Sequence, residues 1–291
     1  MPQHEIYISS ENPKQGDTVL IRVNSKYPAV SGSFENKDII FYKNGKYSDW
    51  VTLLGIDADI KPGKYKVLVN AFGEKMEKEI NIETKDFPII KMPVTKEMRD
   101  KGYTGEKIVQ NIKDNDNPAL NEILEKFTPQ AYFNSPFSFP LRKIQNSGLV
   151  FGQLIKGADY QIQHFGTDLR AGSGTEVYAI NDGKVVLEKE LSNYGKTVII
   201  DHGLGIFSLY LHLDEFLVLA NQSVKKNQVI GLSGSTGYST APHLHFSIRD
   251  NGTRVDPILF IKTSEKSTEN FNLASIKNAF GKILNFGIIE E

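Results

Sequence analysis

The stretch from Ser233 to Asp250, SGSTGYSTAPHLHFSIRD, limits what this chain can fold into more than any other. A glycine- and serine-rich loop runs into Pro242, and HLHFSIR then alternates as a half-buried strand does. Residues i and i+2 of a strand point the same way, with Cα atoms about 6.5 to 7 Å apart. His243 and His245 therefore share one face, while Leu244 and Phe246 face a core. At that spacing one imidazole can bind a metal while the other reaches its water. Alternation leaves open which histidine does which, and a lone HxH pair is more often a polar strand face than a metal site.

The remaining histidines change that balance. The chain has six, and in HFGTD His164 and Asp168 stand four residues apart across Gly166. Neutral imidazole and carboxylate are ordinary zinc ligands. A strictly extended strand would hold the two side chains about 13 Å apart. They can share an ion only if the backbone folds locally, which the conformational freedom of Gly166 is expected to permit. His212 in YLHL reads as a strand-end histidine with Tyr210 on its side by alternation. His202, before Gly203, reads as a solvated turn residue, and His4 lies near a terminus; neither is expected in a site. AGSGT and GLSGSTG lack the GK[ST] ending and following helix of a phosphate loop. Ser235 and Ser239 lack the strand-to-helix elbow of a serine nucleophile.

From about Gln163 to Phe260 the chain resembles the lysostaphin-type (LytM-like) zinc metallopeptidases, which cut peptide stems or cross-bridges in bacterial peptidoglycan. The resemblance is carried, in order, by HFGTDLRAGSGTEVYAINDGKVV, YGKTVIIDHGLGIFSLYLHL, VKKNQVIGLSGSTG and APHLHFSIRDNGTRVDP. It implies one zinc ion per chain, held by His164, Asp168 and His245. It also implies His243 as general base, and His212 as the second histidine that holds the water or the developing oxyanion. The activity it implies is a zinc-dependent endopeptidase acting on peptidoglycan peptides in the cell envelope, periplasmic or secreted. A zinc peptidase acting on proteins and a non-catalytic wall-binding or amidase-activating module are the alternatives. Every ligand position is kept, which favours an active enzyme.

Charge is balanced at 34 basic against 35 acidic residues, so no electrostatic footprint for nucleic acid is expected. Cysteine is absent, which excludes disulfides, thiol nucleophiles and thiolate zinc sites. No run approaches the roughly 18 apolar residues of a transmembrane segment. MPQHEIYISS lacks the regions of a secretory signal. If the substrate is cell wall, the expectation is a chain whose leader has been removed.

The fold class expected is mainly β. Residues 1–85 read as an immunoglobulin-like β-sandwich of short strands, among them DTVLIRV and DWVTLLGI, with a hairpin turn at Asn44-Gly45. Residues 86–135 read as a helical connector. Its GEKIVQNI and NPALNEILEKF segments place apolar residues at helical spacing, with Asn117 as N-cap and Pro118 first in the second helix. Residues 136–262 form the antiparallel-β metallopeptidase domain that the resemblance implies, with Asn181-Asp182-Gly183 read as a hairpin turn between EVYAI and KVVLEKE. Residues 263–291 read as a polar linker followed by an amphipathic helix carrying Leu273, Ile276, Phe280, Ile283 and Leu284, which packs on the protein or contacts a partner or membrane surface.

Overall fold

The computed structural model of the chain describes residues 6–23, 28–43, 49–145 and 148–268. The Asn44-Gly45 turn, His4 and the helix expected over 271–286 lie outside the described residues. The upstream region holds β1 (Ile6–Ile8), β2 (Thr18–Val23), β3 (Val30–Phe34), β4 (Lys37–Ile40), β5 (Tyr42–Lys43), β6 (Trp50–Gly55), β7 (Gly63–Ala71) and β8 (Glu74–Ile82). They form two four-stranded antiparallel sheets, ordered β1-β2-β6-β5 and β4-β3-β7-β8. Val19, Ile21, Val23, Leu54 and Ile56 of the first sheet pack against Val67, Val69, Ile80 and Ile82 of the second. The two layers form a β-sandwich.

β2 and β6 are buried on both faces, and the largely apolar, non-alternating character of TVLIRV and WVTLLG is the reason; Thr18, Arg22 and Thr52 are buried with them. Leu20, Val51 and Leu53 turn away from the sandwich interior into the core of the downstream domain, beside Val255, Phe260 and Ile261. The sandwich is thus fused to its neighbour by a shared apolar core rather than tethered by a linker.

The connector comprises β9 (Ile89–Lys91), α1 (Lys96–Asp100), α2 (Gly105–Asn111), a π-helical turn (Ile112–Asp116) and α3 (Asn117–Leu124). Thr104 caps α2, its hydroxyl accepting from the Lys107 N–H at 3.1 Å. Asn117 is no N-cap: the backbone is helical through Asp116 and Asn117, and α2 runs into α3 through the π turn. That widened turn leaves room for Pro118, whose ring would otherwise meet the carbonyl four residues back. The chemistry expected of a cap is used elsewhere. The buried Asp116 carboxylate accepts the backbone N–H groups of Ser192 and Asn193 at 2.8 and 2.7 Å, and the Asn193 amide donates to the Ile108 carbonyl at 2.7 Å.

The downstream domain contains β10 (Leu154–Lys156), β11 (Gln161–Gln163), β12 (Thr167–Leu169), β13 (Glu176–Tyr178), β14 (Gly183–Leu191), β15 (Gly195–Asp201), β16 (Ile206–Phe216), β17 (Ser223–Val224), β18 (Val229–Ser233), β19 (Leu244–Asp250), β20 (Thr253–Val255) and α4 (Pro257–Glu265). Its main sheet runs β12-β19-β16-β15-β14-β17, with β13, β18 and β20 attached, and every pairing in it is antiparallel. β9, within the stretch read as helical connector, adds a parallel strand to β10. Asn181-Asp182-Gly183 is not a hairpin turn, because β13 pairs with β18 and β14 with β15 and β17. The corner is set by side chains instead: Asn181 donates to the Ser135 carbonyl at 2.8 Å, and Asp182 accepts the Lys226 N–H at 2.8 Å.

Residues 263–268 do not form the polar linker expected of them. Asp256 caps α4, accepting the N–H groups of Ile258 and Leu259, with Pro257 as the first helical residue. Thr263, Ser264 and Ser267 are buried. Arg22, also buried, donates to the carbonyls of Lys266 and Ser267 at 3.3 and 3.1 Å and pairs with Asp49 at 3.5 Å. The sandwich thereby holds the end of this helix. Among the described residues no helix is long and apolar enough to cross a membrane.

Asp250, at the junction of the two regions, accepts the Gly55 N–H at 2.8 Å. Burial pushes its carboxyl up to about 7, against the pull of Gly55 and of the Lys37 charge. Between 3.8 and about 7 the native protein therefore holds a proton that the unfolded chain releases, so stability falls as pH rises through that window. Asp250→Asn keeps an acceptor for Gly55 and removes the titration. Urea melts of both proteins across the window are expected to show a shallower decline for the variant; an unchanged slope would show that another group carries it.

Candidate metal centre and groove

β12 and β19 pair with Asp168 opposite His245, so their side chains leave the sheet side by side. His164 lies on the turn between β11 and β12, its N–H donating to the Gln153 carbonyl at 2.8 Å. The local fold asked of HFGTD is therefore present. His164 Nε2 lies 3.0 Å from Asp168 Oδ1 and 2.8 Å from His245 Nδ1, and His245 Nδ1 lies 3.1 Å from Asp168 Oδ1. One donor atom from each residue falls within 4.8 Å of the others.

The outer ring nitrogens fix the tautomers. His164 Nδ1 donates to the Val150 carbonyl at 3.1 Å, leaving Nε2 with its lone pair inward. Ser247 donates to the Phe165 carbonyl at 2.9 Å, so it accepts from His245 Nε2 at 2.9 Å and Nδ1 of that ring is the inward lone pair. Two lone pairs and a carboxylate oxygen converge with no proton between the nitrogens, an arrangement that a cation relieves. Two imidazoles and one carboxylate, each imidazole held by an outer hydrogen bond, match the donor set of a catalytic zinc with an open position.

Burial lowers the His245 pKa to about 4, so the ring is neutral, as a ligand must be. Burial alone would raise the Asp168 carboxyl, but its close pairing with His164 and His245 outweighs that and holds the group well below the usual carboxylate range.

His243 and His212 reach the same face. The His243 ring is 4.9 Å from that of His212, and its Nε2 is 3.6 Å from Asp168 Oδ1. Nδ1 of His243 donates to the Ala241 carbonyl and Nδ1 of His212 to the Thr236 carbonyl, both at 2.8 Å, so each presents Nε2 as an acceptor. Burial lowers the His212 pKa to about 3.

Strict alternation fails at His212. Its φ is +62°, and the register of β16 against β15 and β18 shifts around it. The bulge turns His212 toward the site, whereas Tyr210 stays in the core, its hydroxyl accepting the Ile180 N–H at 3.1 Å. His202 lies outside the site but is not solvated. It is buried, with Nδ1 donating to the Asp182 carbonyl and Nε2 on the Ser208 hydroxyl, both at 2.8 Å.

Residues 162–257 match the model of peptidase family M23. This span belongs to that family. Over 131 residues the chain is 40% identical to the glycyl-glycine endopeptidase ALE-1 of Staphylococcus capitis, covering 41% of this chain and 36% of the relative. Over 93 residues it is 43% identical to the peptidoglycan DD-endopeptidase ShyA of Vibrio cholerae, covering 32% of this chain and 22% of the relative. The chain thus spans well under half the length of these relatives. A putative M23 peptidase of Pseudomonas aeruginosa has the same fold with a TM-score of 0.65 at 24% identity, over 86% of this chain and 96% of that one. The likeness of fold therefore extends upstream of the M23 domain.

The M23 domain does not build its groove alone. A cavity of about 980 Å³ opens over the four site histidines, and Asp57 of the sandwich, Met92 of the connector and Leu120 of α3 line it together with Tyr238. Tyr238 is wedged between connector and domain: its ring is 5.3 Å from that of Tyr103, and its hydroxyl is 3.1 Å from that of Tyr160. Leu209 and Leu211 share the face of His245, since Leu211 pairs with His245 and Leu209 with Ser247. Leu120 packs on them. Nothing in the sequence before Gln130 signals this contribution, because an apolar helix face looks the same whether it covers a core or walls a groove.

Proposed function

We propose that the chain is a zinc-dependent endopeptidase that hydrolyses peptide bonds in bacterial peptidoglycan stems or cross-links, working in the cell envelope as a periplasmic or secreted protein. The observation that carries the proposal is the convergence of His164, Asp168 and His245 beside the acceptor nitrogens of His243 and His212. The names of ALE-1 and ShyA support the substrate class. One zinc ion per chain is assigned to His164 Nε2, His245 Nδ1 and an Asp168 oxygen. When bound, zinc supplies Lewis acidity, bringing the pKa of a water to about 7 and polarising a peptide carbonyl.

The protein's own part is proton handling and exclusion of water. His243 is the general base: its Nδ1–H is fixed on Ala241, so Nε2 receives the proton and can pass it to the leaving amine. His212 is held neutral by burial with Nδ1–H committed to Thr236. It acts as an acceptor that orients the attacking water rather than as a donor to an oxyanion. The apolar walls given by Leu120 and Tyr238 keep bulk solvent from the reacting bond.

Digestion of purified sacculi beside casein by the zinc-loaded chain tests the reading. Release of muropeptide fragments from sacculi alone is expected. Cleavage of casein alone would move the activity to protein substrates, and cleavage of neither would leave a non-catalytic wall-binding module.

A further inference from the structure

Beyond the histidines, the groove face of β19 continues through Ser247 to Arg249, and the guanidinium there is placed unlike its neighbours. Arg254, its cross-strand partner, is neutralised: it pairs with Asp57 at 3.1 Å and with Asp59, and it stacks 4.2 Å from the Phe165 ring. Arg249 also lines the groove. It makes one hydrogen bond, Nη1 to the Ile248 carbonyl at 3.2 Å, and no ion pair among the described residues. Burial lowers its pKa to about 10, against the pull of Tyr194 and Asp57 and with the push of Arg254, which leaves it charged; Asp57, the carboxylate nearby, is itself paired with Arg254. The Nη1 bond leaves the Nε and Nη2 edge free, and that planar edge matches the two oxygens of a carboxylate.

We propose that Arg249 is a specificity residue of the groove that holds a free carboxylate on the substrate peptide. Arg249 stands four strand positions beyond His245, about 13 Å between Cα atoms, so the carboxylate lies roughly two to four peptide residues from the reacting bond. The substrate class is narrowed from peptides in general to peptides with a free carboxyl on one side of the scissile bond, and amidation of that carboxyl counts against a substrate. The inference rests on the peptidase reading for the identity of its ligand, but its test does not depend on turnover.

Two stem peptides identical except for a free carboxylate or its carboxamide are titrated against the full-length chain in chelator, so that binding is read without cleavage. The carboxylate peptide is expected to bind about tenfold or more tighter than the amide, the scale of a charge-assisted hydrogen bond. The ratio is expected to fall toward one in Arg249→Gln and to survive in part in Arg249→Lys. Arg249→Met, which keeps the apolar stem, replaces the glutamine variant should that one fail to fold. A wild-type ratio near one, absence of binding, or a ratio unchanged in the neutral variant overturns the proposal. Failure of the zinc-loaded chain to cut sacculi, with the binding ratio intact, overturns the enzymatic reading and leaves this one standing.

Discussion

His245→Ala is expected to lose its zinc and its turnover together, whereas His243→Ala keeps its zinc and slows by about 10² to 10⁴. Both rings leave the same strand face, and only the contacts beyond alternation separate them. His245 Nδ1 is 2.8 Å from His164 Nε2 and 3.1 Å from Asp168, so its removal leaves two donors where three are needed. His243 Nε2 stands farther out, 3.6 Å from the carboxylate, and has His212 as its ring neighbour. Its loss takes away a proton acceptor and leaves the donor set whole. Zinc stoichiometry by elemental analysis, measured beside turnover with circular dichroism as the folding check, decides it. If His243→Ala releases the metal while His245→Ala retains it, the roles are reversed.

The strand pattern of the chain was legible because the burial of β2, β6 and β19 is written in their side chains. HLHFSIR alternates and has one groove face and one core face, while TVLIRV does not alternate and has none exposed. What that run could not show was the partner of its second face, since a buried face does not name what covers it. The resemblance named the proposed metal ligands, but the reason for the geometry that brings them together was not legible. A histidine at positive φ carries no sequence signal, so the bulge at His212 and the separation of Tyr210 from it were invisible. The His202-Gly203 pair read as a solvated turn because the strand that buries it, carrying Ser208, follows only after the turn. Asp256-Pro257 held a readable signal for α4, a capping residue before a first-turn proline, although the polar run after it suggested a linker. Asn117-Pro118 offered the same signal and was no boundary at all, which shows that the dipeptide alone does not decide: upstream of it the helix had already begun at Thr104.

Gly166→Ala is expected to weaken zinc binding by about 10- to 100-fold, the scale seen when a ligand's outer support is displaced. The sequence suggests that this glycine is needed for backbone freedom, but Gly166 is not among the residues at positive φ, so alanine could adopt its conformation. The need is for space. A Cβ there would lie 2.3 Å from His245 Nε2 and 2.5 Å from the Ser247 hydroxyl, inside the hydrogen bond that fixes the His245 tautomer. Neither atom can retreat freely, because Ser247 is also tied to the Phe165 carbonyl at 2.9 Å and the imidazole is buried between that hydroxyl and the other ligands. The ring must therefore tilt, and Nδ1 moves away from His164 and Asp168. Zinc affinity from competition with a chelating dye, set beside the thermal melt of the metal-free protein, separates this from a folding defect. A large loss of affinity with a modest change in the apo melt is the expected pair. Unaltered zinc affinity and turnover would mean that the ring has room to yield, and that the outer hydrogen bond is not what places His245.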